Sequence, residues 1–246
     1  MHALNVIKAL GPIDVQNVRR DTMLRWMVVA PLGIALMARW VFPTLLARLG
    51  TWLNVDVLEF YPMLLGYILL LIAPQLCGMV IGFLLLDQRD DQTLTALLVT
   101  PLSLNNYLLY RLMMPIAVCV PVTLVMFPIA GLVDLPVWGL VLVAIVAAPI
   151  APLFALALAV FAENKVQGFA LTKASGIVVI APFIASFLPW TWQILFAVVP
   201  TYWPANLFWS LQRGDAHAWV YGVGGLAYAA FLLLLLTRRL RRVLHQ

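Results

Sequence analysis

The sequence predicts an all-α polytopic membrane protein with six transmembrane helices, and three observations lead to that prediction. Hydrophobic residues make up 64% of the 246-residue chain, and charged residues only 10%. The mean hydropathy is +1.01. A soluble domain has roughly 25% charged residues, so this chain has too few charges to cover a surface that faces water. Its apolar residues also cluster in windows of about 20 residues, the length of helix that crosses the hydrocarbon of a bilayer.

The apolar windows divide the chain into six candidate spans without a polar block long enough to form a separate soluble domain. We therefore expect residues 1–246 to form a single transmembrane domain. The windows are 24–46, 61–86, 107–133, 137–162, 175–188 with a ragged continuation towards 199, and 219–237.

The positions of the basic residues predict the orientation of these spans. With the N-terminus in the cytoplasm, twelve of the fifteen Lys and Arg residues lie on the inner side and three on the outer side. This bias follows the positive-inside rule and predicts that both termini are cytoplasmic. It also explains the net charge of +5 without nucleic-acid binding. The inner residues are Lys8, Arg19, Arg20, Arg25, Arg89, Arg111, Lys165, Lys173, Arg238, Arg239, Arg241 and Arg242; the outer ones are Arg39, Arg48 and Arg213.

The two ends of the chain are expected to contact the inner membrane surface. In residues 1–22, Leu4, Ile7, Leu10, Val15 and Val18 lie among polar residues, with an interruption at Gly11-Pro12. This pattern suits an amphipathic segment along that surface. A flexible leader is the alternative. The basic tail, 238–246, suits contact with anionic lipid headgroups.

Proline is frequent in the membrane segments. Each proline removes a backbone hydrogen bond and permits a kink, which suits helices that enclose an apolar pathway and change shape. Residues 189–218, rich in Trp and Pro, suit an outer segment that re-enters the membrane or lies at its interface. The prolines within or near the middle of spans two to four are Pro74, Pro115, Pro121, Pro128, Pro149 and Pro152.

The sequence lacks the motifs of several common binding sites and catalytic sites. The chain contains no phosphate-binding G-x-x-x-x-G-K-[ST] loop and no H-E-x-x-H motif. Its three histidines are scattered, which argues against a metal site, and the span centres lack the acids that ion-driven transporters and intramembrane enzymes use. The two cysteines, Cys77 and Cys119, lie in apolar runs, where we expect them to pack as small hydrophobic residues.

The loop 87–106 between spans two and three predicts a short cytoplasmic helix. Asp90 and Asp91 would stand at its N-terminus, where acidic side chains are favourable. Leu94, Leu97 and Leu98 would form one apolar face, and Thr100-Pro101 would end the helix. That face either rests on the membrane or docks into a groove on a soluble partner; the residues alone leave both open.

The stretch DDQTLTALLVTPLS, at 90–103, resembles the corresponding loop of ABC-2 type transporter permeases. The matching residues include Thr93, Leu94, Leu97, Leu98, Thr100 and Pro101. The loop departs from the family at Gln92, where Gly is usual, and at Thr95, where Glu is common. DVQNVRRDTMLRW (14–26) is similar to the family's N-terminal surface helix. VPTYWPANLFW (199–209) resembles the outer segment of permeases that export drugs, including fluoroquinolones.

The resemblance implies a type V exporter-like fold and a bacterial inner-membrane location. It implies a homodimer or paired permease bound to two separate ATP-binding subunits, which would carry the ATP and Mg. This chain would then be no enzyme and would hold no cofactor itself. The segment 90–99 would be the coupling helix, and the loop 163–174 either a second cytoplasmic contact or an ordinary solvated turn.

The same resemblance places the substrate pathway at spans two and five, at the dimer interface. There we expect contacts from Gln75, Phe83, Phe183 and Phe187. The expected function is export of a hydrophobic or amphipathic drug or lipid-like molecule. The alternatives are a non-transporting membrane scaffold that docks a soluble partner and, less favoured, an intramembrane lipid-modifying enzyme.

Overall fold

The computed structural model describes residues 3–53, 61–90, 104–132 and 135–244, and the regular elements within these ranges are all helices. This confirms the all-α prediction. In chain order the helices are α1 Ala3–Arg20, α2 Thr22–Leu53, α3 Tyr61–Asp90, α4 Leu104–Ala130, α5 Val137–Ala147, α6 Ile150–Phe161, α7 Lys165–Ser186, α8 Trp190–Phe196, α9 Tyr202–Arg213 and α10 Ala218–Leu244.

Six segments within the described ranges are long and apolar enough to cross a membrane, as predicted. An even number of spans places both ends of the chain on the same side, in agreement with the orientation that the basic residues indicate. The segments are Thr22–Trp52, Met63–Asp90, Asn105–Ala130, Val137–Phe161, Lys165–Ser186 and Ala218–Arg242.

The fifth span begins ten residues earlier than predicted, so the expected loop 163–174 is wrong for most of its length. Residues from Lys165 onwards are helical. Asn164 caps the helix, because its side-chain oxygen accepts a hydrogen bond from the Gln167 backbone N–H at 3.0 Å. The connection from span four is therefore reduced to the short stretch 162–164. The polar residues at the start of α7 form its inner turns.

The prolines do not all have the same effect. Span four is divided at Ala148–Pro149 into α5 and α6, as expected where a proline removes a backbone donor. The helices α3 and α4 instead continue through Pro74, Pro115, Pro121 and Pro128. The predicted interruption at Gly11-Pro12 is also wrong, since α1 continues through Pro12. Leu10, two residues before Pro12, is buried in the core.

The helix α3 forms the centre of the bundle. Within its most apolar window 83% of the residues are buried, compared with 17% in span one and 17% in span six. Gly78 and Gly82 permit the close approach of α6: a Cβ atom on Gly78 would lie 2.2 Å from the Ala151 carbonyl oxygen. Small residues at such a spacing allow membrane helices to pack backbone to backbone.

The outer segment consists of two short helices, α8 and α9, between spans five and six. The Thr201 hydroxyl donates to the Val178 carbonyl of span five, and the Trp209 indole N–H donates to the Met63 carbonyl of span two at 3.3 Å. Gly214 ends α9 in the left-handed conformation, with φ of 71°, which glycine adopts without steric cost. These contacts attach the segment to the outer end of span two and to the middle of span five.

Candidate functional site

The predicted coupling helix lies almost entirely outside the described residues. Asp90 is described and is exposed at the end of α3. The other predicted coupling residues fall in the stretch 91–103, outside the described residues: Asp91, Thr93, Leu94, Leu97, Leu98, Thr100 and Pro101. The structure does describe both ends to which this stretch is attached, Asp90 in α3 and Leu104 in α4.

Three consecutive residues just before that stretch each bind a different part of the molecule. Asp87 accepts from Lys165 at the start of α7, with an N–O distance of 2.9 Å. Gln88 accepts from the Tyr107 hydroxyl of α4 at 2.7 Å. Arg89 donates to the Ala162 carbonyl after α6 at 2.8 Å. The inner end of span two is thus connected to spans three, four and five.

A buried ion pair lies at the other end of the stretch. Arg111, in α4, binds Asp14 of α1 through two parallel hydrogen bonds of 2.8 and 3.2 Å. The Tyr110 hydroxyl donates to the same carboxylate at 2.8 Å, and Arg111 Nε donates to the Tyr107 hydroxyl at 3.2 Å. The guanidinium also lies over the rings of Tyr107 and Tyr110.

We name this group the inner polar cluster; it consists of Asp14, Gln88, Tyr107, Tyr110 and Arg111. Arg111 is 1% exposed and Asp14 is 3% exposed. Burial of two charges is costly, and it is tolerated only where the geometry is good and the remaining polar atoms are satisfied. The described structure has no buried side-chain nitrogen or oxygen without a hydrogen-bond partner. The cluster therefore holds α1, α3 and α4 in a defined arrangement beside the 91–103 stretch.

A second ionic contact lies nearer the solvent. Lys165 binds Asp21 at 3.2 Å as well as Asp87. Asp21 also caps α2, because it accepts from the backbone N–H groups of Met23 and Leu24. Partial burial favours the neutral carboxyl, but the hydrogen bonds from Leu24, Lys165 and Met23 outweigh it and lower the pKa of Asp21 below its ordinary value of 3.8.

The predicted pathway residues do not lie together. The Gln75 amide donates to the Ser175 hydroxyl of span five at 2.7 Å, so it forms a buried hydrogen bond between helices. Phe83 is fully buried against Gly168 and the Phe169 ring, whose centroid is 4.9 Å away. Both side chains thus connect spans two and five within this chain.

Phe183 and Phe187 instead line one cavity at the outer end, with a volume of about 360 Å³. Their rings are perpendicular, with centroids 4.9 Å apart, and Phe187 is 73% exposed. We name this space the outer cavity. Spans two, five and six and the helix α9 all contribute to it, through Met63, Leu64, Phe183, Ser186, Phe187, Gln193, Asn206, Trp209, Ser210, Arg213, Asp215 and Tyr221.

The described residues contain no group of three or more His, Cys, Asp or Glu side chains that could hold a metal ion. Cys77 and Cys119 are free thiols that pack in a small apolar cluster. Five charged residues at the inner end, Asp14, Asp21, Asp87, Arg111 and Lys165, are bound to one another in ion pairs. Their arrangement suits the transmission of force between helices.

Sequence reasoning counted Arg111 among the inner basic residues but missed its pairing with Asp14. A signal was available: Arg111 falls inside the apolar window 107–133, and a charge within a membrane segment usually has a buried partner. Which residue is that partner depends on the tertiary structure, since Asp14 is 97 residues away in sequence.

Comparison with known proteins identifies the relatives of this chain. The model of the family described as "Fluoroquinolones export permease protein Rv2686c-like" matches residues 14–237. This chain belongs to that family. It is 32% identical over 241 residues to the fluoroquinolones export permease protein Rv2686c of Mycobacterium tuberculosis strain H37Rv, covering 96% of this chain and 94% of the relative.

The corresponding permease of strain CDC 1551, MT2760, shows the same identity and coverage. No solved structure shows a significant match to the chain. Membership of the Rv2686c-like family confirms the resemblance to drug-export permeases. The matched region extends from Asp14 of the inner polar cluster through nearly all of span six.

Proposed function

We propose that this chain is the membrane subunit of an ATP-driven exporter in a bacterial inner membrane, and that its substrates are amphipathic aromatic drugs of the fluoroquinolone type. Two copies of the permease, or this chain and a paired permease, would bind two ATP-binding subunits. The observation that carries the proposal is the family match over residues 14–237, together with the export function in the names of both relatives.

The inner end of the molecule supports the mechanical part of the proposal. A partner that pushes on residues 91–103 would act on two attached helices, α3 and α4. The bonds of Asp87, Gln88 and Arg89 connect α3 to the neighbouring spans, and the pairing of Arg111 connects α4 to α1. Movement of the stretch would therefore reach several spans together.

Transport in inside-out membrane vesicles tests the proposal. The vesicles come from cells that co-express this chain with its proposed ATP-binding subunit, and the measurement is uptake of ciprofloxacin with and without ATP. We expect ATP-dependent uptake, and we expect Leu97→Asp to abolish it because a charge would disrupt the apolar docking face. Leu97→Met, which keeps that face apolar, should retain most of the uptake.

The possible results separate the parts of the proposal. Uptake that does not depend on ATP would refute the ATP-driven mechanism, and absence of ciprofloxacin uptake would refute the substrate class. ATP-dependent uptake that survives Leu97→Asp would refute the coupling role of the 91–103 stretch. If the subunits assemble but transport nothing, the scaffold alternative is favoured.

A further inference from the structure

The outer cavity combines an aromatic wall with polar groups in a way that suits one class of ligand. The Phe183 ring stacks nearly parallel to Tyr67, with an angle of 7° between the planes, and the Phe187 ring stands perpendicular to Phe183. Trp209, packed edge-on against Tyr67, contributes another side of the cavity. Rings in such fixed orientations offer flat apolar surfaces to an aromatic ligand.

Two polar side chains on this lining are buried in the protein. Asn206 is 8% exposed and Ser210 is 3% exposed, and both belong to α9. They stand one turn apart, and the Asn206 amide is held by a 2.9 Å hydrogen bond to the Tyr202 carbonyl. A small number of fixed polar groups in a mainly apolar cavity is typical of small-molecule sites, whose volumes run from about 300 to 1,000 Å³.

Opposite charges stand at the edge of the same cavity. Arg213 ends α9, and its Nε donates back to the Trp209 carbonyl at 3.2 Å. Asp215 lies beyond the left-handed Gly214 and is fixed by its backbone bond to the Ser210 carbonyl at 2.9 Å. Both side chains line the cavity. Both are exposed and can exchange water for a charged ligand.

We propose that the outer cavity binds zwitterionic aromatic compounds, with Arg213 holding the carboxylate, Asp215 the ammonium group, and Phe183 and Phe187 the ring system. This inference rests on the proposed function, and it gives that function a site. Fluoroquinolones with a piperazine ring have this chemistry: a fused aromatic plane carries a carboxylate at one end and a basic amine at the other. The cavity is the position that a substrate occupies before its release on the outer side.

Binding measured with three related ligands tests the charge assignment. The full chain in lipid nanodiscs is titrated against ciprofloxacin, its ethyl ester, which lacks the carboxylate, and N-acetylciprofloxacin, which lacks the ammonium group. Ligand fluorescence anisotropy gives the dissociation constants. An exposed ion pair contributes about 0.2–1 kcal/mol, so each matched charge removal should weaken binding roughly 1.4- to fivefold.

The expected pattern differs between the two charged residues. Arg213→Gln should weaken binding of ciprofloxacin and of the N-acetyl compound but leave the ester unaffected. Asp215→Asn should weaken binding of ciprofloxacin and of the ester but leave the N-acetyl compound unaffected. Phe187→Ala should weaken all three ligands alike, since the ring system is common to them.

Arg48→Gln provides the matched control, because it removes another exposed outer arginine that does not line the cavity. It should change none of the three constants. The inference would be overturned if Arg213→Gln changed the dissociation constants of ciprofloxacin and of its ethyl ester equally. It would also be overturned if these changes were no larger than those caused by Arg48→Gln. Unmeasurable ciprofloxacin binding by the wild-type chain would overturn it as well. Each of these results is independent of the vesicle assay, which alone decides the proposed function.

Discussion

The inner polar cluster and the outer cavity of this permease use charged side chains in opposite ways. At the inner end the guanidinium of Arg111 is 1% exposed and is fully engaged by Asp14 and two tyrosines. At the outer end Arg213 and Asp215 are exposed at the edge of a cavity. The Arg111–Asp14 pair is satisfied within the protein, whereas Arg213 and Asp215 face solvent.

This difference separates two tasks of a transporter. A buried, satisfied ion pair is expensive to break, so it holds helices in place when force is applied. Exposed charges beside aromatic rings hold little structure together but can recognise a ligand. Substitutions at the inner end should therefore lower stability, and those at the outer edge should change ligand preference instead.

The largest effect is expected at the inner polar cluster. Arg111→Leu leaves the Asp14 carboxylate buried without its partner, and such a loss typically costs about 3–5 kcal/mol. Thermal unfolding of the purified chain in detergent should show a strongly lowered midpoint. Arg213→Gln at the outer edge should leave that midpoint nearly unchanged.

The double variant Asp14→Leu with Arg111→Leu is the control for this prediction. It removes both charges, so it should recover part of the lost stability, although the tyrosine hydroxyls lose partners. A double variant no more stable than Arg111→Leu alone would show that the unpaired Asp14 carboxylate is not the source of the lost stability.

The outer end also contains a close contact between Gly224 and Trp203, and its disruption should lower stability by an intermediate amount. A Cβ atom on Gly224 would lie 2.4 Å from Cζ3 of Trp203, and that indole is fixed by its bond to the Ala197 carbonyl. Gly224→Ala should therefore cost about 1–3 kcal/mol, the usual range for overpacking. Differential scanning fluorimetry measures the shift.

Gly222→Ala, two residues earlier in α10, is the matched control for this test. Its nearest neighbour would be Leu207 at 3.9 Å, an ordinary contact. Alanine favours helix over glycine by up to about 1 kcal/mol, so this variant should be as stable as the wild type or more stable. If Gly224→Ala behaves in the same way, Trp203 does not restrict this face of span six.

The smallest effect is expected at Asp21, and it depends on pH. Asp21→Asn retains a capping oxygen but loses the charge that Lys165 and the N-terminus of α2 attract, at a cost of about 1 kcal/mol. Because the pKa of Asp21 is lowered in the folded protein, the charge stabilises the fold above the ordinary carboxyl pKa, and this stability is lost as the pH falls through the folded pKa.

Unfolding midpoints of wild type and Asp21→Asn should therefore differ between pH 5 and pH 8 and converge below about pH 4. A difference that persists unchanged at low pH would attribute the effect to packing and not to charge. Asp90→Asn, in an exposed position at the end of α3, is a control that should show little difference over the same range.

The sequence predicts the membrane spans well because length and apolar composition are local properties. It fails at span five, where the inner turns of α7 contain Lys165 and Lys173 and lie outside any apolar window. A helix that ends in the headgroup region does not need apolar residues there. The asparagine cap at Asn164 was the local signal that marked its start.

The site is less accessible to sequence reasoning because it depends on contacts between distant residues. Phe183 and Phe187 were expected in one pathway with Gln75 and Phe83, but only the first two line the outer cavity. Spacing along a helix cannot distinguish a phenylalanine that faces a cavity from one packed against Gly168. The ion pair between Asp14 and Arg111 cannot be predicted from helix spacing either, because it depends on how α1 packs against α4.

The three consecutive bonded residues at the end of span two have a mechanical consequence. Successive residues of an α-helix point roughly 100° apart around its axis, so Asp87, Gln88 and Arg89 anchor the helix from three directions. Contacts in three directions at the same level oppose both rotation of span two about its axis and its movement along that axis. A torque applied there would be passed on to spans three, four and five through these contacts.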